Sequence, residues 1–289
     1  MKNRLKQVVS STAIVAIAMA VNFAVLPIGH SLAADMLGDG IEGETLVEFG
    51  TGWYLRGDIG GGISDVSIET NFGGGGDADL GTPVTFGIGA GYDAGNGIRY
   101  EVGLNQFTNL DFAYRNNYTN CGTEDDDGDP LTPGTPITGD CFYSANANLN
   151  ASSVMANVYY DFNKRFWGFR PYVGAGVGIA YVSWSDFTFN EFCIGNQPSD
   201  CGTTGGNGVN ELASGTFEAD DEFTISGNVM VGASYQLTQN TALDFGYRYT
   251  YIGDSGAAKA ANNASITEDI DVGSFDIHEF RLGLRYAIW

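Results

Sequence analysis

From Trp53 onward, apolar and polar side chains alternate with a period of two rather than 3.6. Trp53–Asp65 sets Trp53, Leu55, Ile59 and Ile63 against Tyr54, Arg56, Asp58 and glycines. Val84–Asp93 sets Val84, Phe86, Ile88, Ala90 and Tyr92 against Thr85, glycines and Asp93. After Ala94-Gly95-Asn96-Gly97, Ile98, Tyr100, Val102 and Leu104 oppose Arg99, Glu101, Gly103 and Asn105. The pattern recurs in Ser153–Phe162, Arg170–Trp184, Phe223–Leu237, Thr241–Tyr251 and Ile277–Trp289. Eight strands are therefore expected.

The connections also alternate. Short links fall at 94–97, 163–169 and 238–240, and long ones at about 66–83, 109–151, 185–222 and 252–276. Short turns on one rim and long loops on the other are the habit of a transmembrane barrel. A secreted sandwich has no reason to sort its loops so strictly. The predicted fold is all-β: an eight-stranded antiparallel up-and-down transmembrane β-barrel with four long extracellular loops.

A soluble barrel would turn the eight apolar faces inward. An eight-stranded interior is only just wide enough for side chains, and these rows of aromatics and aliphatics overfill it. The apolar face is therefore expected on lipid, with the glycine rows inside making room for Tyr172 and Trp184. Tyr92, Tyr160, Tyr247, Tyr249 and Tyr286, at segment ends, suit the interfacial girdles. The inward set then holds Arg56, Arg99, Arg248, Arg281 and Arg285 with Asp58, Glu101, Asp161, Asp244 and Glu279. Buried charges need partners. These ten are expected to pair and close the lumen.

At the N-terminus, Lys2, Arg4 and Lys6 precede an apolar run from Val8 to Leu26, and Ser31-Leu32-Ala33 supplies small residues for cleavage. Residues 1–33 read as a secretory signal peptide. Residues 34–52 read as a periplasmic linker and 53–289 as the barrel. No later stretch reaches the ~18 consecutive apolar residues of a membrane helix, so a membrane location requires a closed barrel.

The 289 residues include 13 Lys and Arg against 35 Asp and Glu, a net −22. Cleavage removes three cations and no anion, leaving 10 against 35, or −25. Such acidity repels nucleic acid. Aromatic residues at 13% argue against disorder.

Secretion makes disulfides admissible. Cys121 and Cys141 fall in the second long connection, and Cys193 and Cys201 in the third. Three connectivities remain open, with pairing inside each loop favoured by proximity. The spacings are not those of zinc ligand pairs. Loop two also carries Glu124-Asp125-Asp126-Asp127-Gly128-Asp129, and loop three carries Glu218, Asp220, Asp221 and Glu222. Asp125, Asp127 and Asp129 mimic the start of a calcium loop. Pro130 takes the required glycine's place, however, and Pro136 that of the terminal Glu. A solvated acidic rim, bridged by divalent cations to outer-membrane lipid and lipopolysaccharide, is the expected arrangement.

Catalytic chemistry finds little support. The mature chain has one histidine, His278, on an outward position where no Ser-His-Asp set can form. Gly89-Ala90-Gly91-Tyr92-Asp93-Ala94 spells a dinucleotide fingerprint, but a strand follows where a helix is needed. No cofactor is expected.

Trp53-Tyr54-Leu55-Arg56-Gly57-Asp58-Ile59-Gly60 resembles the opening strand of small outer-membrane β-barrel surface antigens of α-proteobacteria, relatives of opacity proteins and of the outer-membrane protein A barrel. Pro171–Gly178, Leu243–Tyr249 and His278–Tyr286 resemble the fifth, seventh and last strands of that family. The resemblance implies a Gram-negative outer-membrane location, docking to the barrel-assembly machinery through the C-terminal strand, and a role in envelope integrity, surface contact or limited solute passage. Family members end in an aromatic with another two residues earlier. Here Tyr286 stands three residues before Trp289, and a bulge near Ala287 would restore the phase.

The expected function is a non-enzymatic surface antigen or envelope protein, with adhesion through the acidic loops. A narrow porin-like channel for small solutes is the alternative.

Overall fold

The computed structural model describes residues 51–69, 77–119, 123–124, 135–136, 139–185, 187–195, 201, 208–219, 221–254, 257–260 and 270–288. The expected signal peptide, the expected linker apart from Thr51 and Gly52, Cys121, the acidic run from Asp125 to Asp129, and Trp289 lie outside the described residues.

Alternating residues produce long antiparallel strands: β1 (Gly52–Glu69), β2 (Val84–Asp93), β3 (Ile98–Thr119), β4 (Asp140–Asp161), β5 (Phe169–Trp184), β6 (Glu222–Gln236), β7 (Thr241–Ile252) and β8 (Ile270–Ala287). Each pairs with the next, and β1 pairs with β8 from Tyr54↔Ala287 upward, which closes the ring. Closure leaves no backbone edge to lipid. Along the spanning region, Leu55, Ile59, Val102, Val154, Val177, Val229, Phe245 and Leu282 are exposed outward. Arg56, Arg99, Glu101, Asp161, Asp244, Arg248, Glu279, Arg281 and Arg285 are buried inside.

Among the described residues, much of the long connections expected at 109–151 and 185–222 is strand rather than loop. The third strand runs on to Thr119 and the fourth begins at Asp140, each 22 residues long. The third connection folds into a hairpin, Phe187–Gly195 with Gly208–Ala219. Its first strand pairs with the upper part of β4 and its second with Ala257–Ala260, which in turn pairs with the start of β8. Asp77–Asp79 pairs with Ala113–Arg115 of β3. A second tier of sheet thus rises from the membrane barrel. There the hairpin stands above β5 and β6, and the short strands stand above β2 and β7. The part of β4 from Asp140 to Asn150 alone adds roughly 35 Å of strand.

One bulge makes this tier possible. Phe107 pairs with Ala151 and Leu110 with Leu149, so Thr108 and Asn109 on β3 stand opposite one residue on β4. Asn109 adopts φ 60°, a left-handed conformation that Asn tolerates better than most residues. The extra residue switches which parity points inward. Below it Arg99, Glu101, Asn105 and Phe107 are buried; above it Leu110, Phe112, Tyr114 and Asn116 are. Asp111, Ala113, Arg115 and Asn117 face outward, as do Asn146, Asn148 and Asn150 of β4.

The interior therefore changes character along the barrel axis. Below the bulge the wall is greasy outside and charged inside. Above it the wall is polar outside, and the interior is an apolar core of Phe107, Leu110, Phe112, Phe187, Phe189 and Phe275 with neighbouring side chains. Such inversion locates the water boundary: each tier turns its apolar face away from water. The bulge expected near Ala287 is also absent from the described pairing. Strand register continues unshifted through Tyr286 and Ala287, and the Ile288 amide donates to the Trp53 carbonyl at 2.8 Å.

Candidate functional site

The interior of the spanning region is the chemically distinctive part of the molecule. Period-two alternation brings its side chains inward, and glycines admit the largest of them. A Cβ at Gly246 would lie 2.6 Å from the Tyr172 Oη, and one at Gly174 would lie 2.6 Å from Tyr159 Cδ1. Facing glycines therefore let Tyr159 and Tyr172 cross the lumen edge to face, with centroids 5.8 Å apart.

At the periplasmic end, Arg99 donates to Asp161 from Nε at 2.5 Å and from Nη2 at 2.9 Å. Its guanidinium lies 4.6 Å from the Tyr159 ring centroid and 5.5 Å from that of Tyr172. Arg285 pairs with Asp244 at 3.3 Å and donates to Ser234 Oγ at 3.1 Å, while Ser234 donates to Asp244. Delocalised cations between aromatic faces and carboxylates are favourable in a low-dielectric interior.

Glu101 accepts from Tyr54 Oη at 3.0 Å and from Tyr159 Oη at 2.9 Å. Arg56 contacts Asp58 at 3.2 Å and Glu101 at 3.8 Å. Higher up, Asp58 pairs with Arg281, and Glu279 pairs with Arg248 and, at 3.9 Å, with Arg281. Asn105 Oδ1 accepts from Arg248 Nη1 at 2.7 Å and from Arg281 Nη2 at 3.2 Å. The ten lumen charges thus stand in three ion-paired groups: Arg99 with Asp161, Arg285 with Asp244, and Arg56, Asp58, Glu101, Arg248, Glu279 and Arg281 together. The Tyr54 ring lies between them, its centroid 5.9 Å from the Arg99 guanidinium and 5.5 Å from that of Arg285. Asn105, Tyr54, Tyr159 and Ser234, which bond to these groups, were not singled out from the sequence; their inward parity was the available signal.

Arg248 ends the charged section, 5.6 Å from the Phe107 ring centroid. Above it the aromatic core begins. Phe112 meets Trp184 at 5.6 Å and Phe187 at 5.4 Å, and Tyr143 stacks on Phe189 at 5.8 Å. Burial pushes the Tyr143 phenol above its ordinary range, with Tyr114 and Glu191 adding to the effect. Alternation alone could have exposed this core, because Ala145, Ala147 and Leu149 alternate with asparagines on β4.

In the extracellular tier, Cys193 and Cys201 form a disulfide with an S–S length of 2.06 Å. Cys141 stands opposite Cys193 in the strand pairing and is itself disulfide-bonded. Zinc binding by the cysteines is thereby ruled out for Cys141, Cys193 and Cys201. His278 faces outward between Tyr247 and Tyr249, with Tyr247 Oη 2.5 Å from its Nδ1. That places it in the outer aromatic girdle.

The sequence profile of the outer membrane protein beta-barrel domain matches residues 44–287. A Brucella suis protein of uncharacterised function is 28% identical over 262 residues, covering 81% of this chain and 84% of its own. The outer membrane protein PagN of Salmonella typhimurium is 28% identical over 141 residues, covering 48% of this chain and 50% of its own. Among solved structures, Neisserial surface protein A has 18% identity and a TM-score of 0.42, covering 83% of this chain and 99% of its own. With a closed ring of eight strands, a lipid-facing apolar belt and a profile match over most of its length, the chain belongs to the outer membrane protein beta-barrel domain family of the Gram-negative outer membrane.

Proposed function

We propose that this protein is a closed, non-enzymatic envelope barrel that carries a rigid extracellular tier as a surface-contact platform. The observation that carries this reading is the filled interior. Paired charges occupy the spanning lumen, and an aromatic core caps them. An eight-stranded barrel has little room beyond its own side chains. Acidic extracellular segments meet lipopolysaccharide through divalent cations, and the C-terminal strand serves the assembly machinery. Contact with other cells or host molecules belongs to the outward polar wall of the tier.

Planar-bilayer recording of the mature protein tests the closed reading: no stable channel steps are expected. Regular unitary steps overturn it in favour of the narrow channel. Adhesion is tested by substituting wall residues rather than deleting 109–151, since that deletion removes half of β3 and β4. If a change of Asp111, Arg115, Asn146 and Asn148 to alanine leaves cell binding intact, that wall is not the contact surface.

A further inference from the structure

Of the ten cations in the mature chain, five lie in the lumen and two, Arg115 and Lys259, lie in the extracellular tier. The remaining three, Lys164, Arg165 and Arg170, lie within seven residues at one periplasmic turn. That turn is also aromatic. Phe162, Phe166, Trp167 and Phe169 are all exposed, and Trp167 is 99% exposed. The other two periplasmic turns, Ala94-Gly95-Asn96-Gly97 and Leu237-Thr238-Gln239-Asn240, carry neither a charge nor an aromatic ring.

The turn holds Trp167 out by construction. Phe166 and Phe169 exchange backbone hydrogen bonds at 2.9 and 3.0 Å, leaving Trp167 and Gly168 as a two-residue hairpin loop. Both take positive φ, 52° and 85°. Asn or Gly is the ordinary residue at the first position of such a turn, and a bulky ring there is strained. The ring gains nothing from the protein, yet the turn keeps it.

Around it the aromatic surface joins the lipid-facing belt. Tyr160 meets Phe162 at 5.2 Å, and Phe169 meets Tyr235 at 5.1 Å and Phe245 at 6.4 Å. Trp167 is thus placed at the level of the inner-leaflet headgroups, where indole is favoured. Lys164 beside it is exposed and Arg165 and Arg170 are half-buried, with Arg170 Nε donating to the Phe162 carbonyl at 3.2 Å, so all three cations stay at this turn. We propose that the turn 163–170 is a binding site for anionic glycerophospholipid of the periplasmic leaflet. Lys164, Arg165 and Arg170 attract the phosphate, and Trp167 and Phe166 insert between the acyl-chain ends of the headgroups. Charge complementarity selects the occupant: elsewhere this strongly acidic chain repels anionic lipid, so recruitment must be local.

The test uses the mature protein in vesicles of phosphatidylcholine with a minor share of phosphatidylglycerol, probed by spin-labelled lipids of each kind. The wild-type barrel is expected to hold phosphatidylglycerol over phosphatidylcholine by up to roughly a hundred-fold, falling about five-fold for each of the three cations removed. K164Q/R165Q/R170Q should abolish the preference, whereas R115Q on the extracellular side should keep it. Heat-modifiable migration verifies that each variant is folded, and K164Q alone serves if the triple variant does not assemble. Brominated lipid should quench an emission component of the wild type that W167F lacks. Equal association of the two lipids with the wild type overturns the proposal, as does a preference that survives the triple substitution. A Trp167 component untouched by brominated lipid also overturns it and leaves a water-borne periplasmic partner as the occupant.

Discussion

Arg99 grips Asp161 with two arms of its guanidinium, Nε at 2.5 Å and Nη2 at 2.9 Å, and neither side chain reaches solvent. The pair crosses from β3 to β4 next to Tyr159 and Tyr172. Two buried charges in this geometry are tied to each other far more than to water. Removing one partner strands the other, which is costly, whereas removing both costs little.

Asp161→Asn should therefore destabilise the barrel by about 3–5 kcal/mol, and Asp161→Asn with Arg99→Met should recover most of that loss. Urea midpoints of the folded, heat-modifiable band in detergent report both. Equal stability of the two variants would show that the pair is not coupled.

Gly246 exists for Tyr172. Gly246→Ala would bring its Cβ to 2.6 Å from the phenolic oxygen and is expected to cost about 1–3 kcal/mol. In a Tyr172→Phe background the phenolic contact is gone, leaving that Cβ 3.1 Å from the Val231 carbonyl oxygen and 3.6 Å from Cζ, so most but not all of the cost should be relieved. Gly57→Ala, with nothing within 4 Å, should be neutral. The same urea midpoints measure all three.

The bulge at Thr108-Asn109 is a switch of facing. Deleting Asn109 would turn Leu110, Phe112 and Tyr114 to water and Asp111 and Arg115 into the core. The extracellular tier should then become protease-sensitive while the membrane barrel persists as a trimmed, heat-modifiable core. Asn109→Gly should keep the tier, and Asn109→Val should weaken it by about 1–2 kcal/mol, because a branched residue resists φ 60°. Limited proteolysis from the outside distinguishes these outcomes.

Cys193 and Cys201 close a short loop across the end of the hairpin. Opening it with Cys201→Ser should cost the tier about 2–3 kcal/mol, by freeing the unfolded chain. Cleavage between 195 and 208 should rise, with barrel migration unchanged. Proteolytic mapping by mass spectrometry reads the difference.

Much of the membrane barrel was legible from the chain. Alternation through Val154, Ala156, Val158 and Tyr160 against Met155, Asn157, Tyr159 and Asp161 identifies a strand and its two faces. The volume of an eight-stranded interior then assigns the faces. The extracellular tier was far less legible. Polar Asn and Asp at alternate positions read as loop, since their outward positions face water and not lipid. The residues that cover the core also come from 107–114, 143–149, 184–189 and 275–277, too far apart for a local pattern to connect.

Sequence by itself determined the period of two, the lipid-facing belt, the presence of ten charges on inward positions and the cysteines near the outer rim. Those properties are local, because a strand's alternation depends only on its own residues. Tertiary structure alone decided which charge meets which, as when Arg248 on β7 reaches Asn105 on β3 at 2.7 Å, 143 residues away. It also decided that one left-handed asparagine would exchange the two faces of β3. Strand register is a relation between chains of atoms brought together only by closure of the ring, and a one-residue offset there reassigns every side chain beyond it.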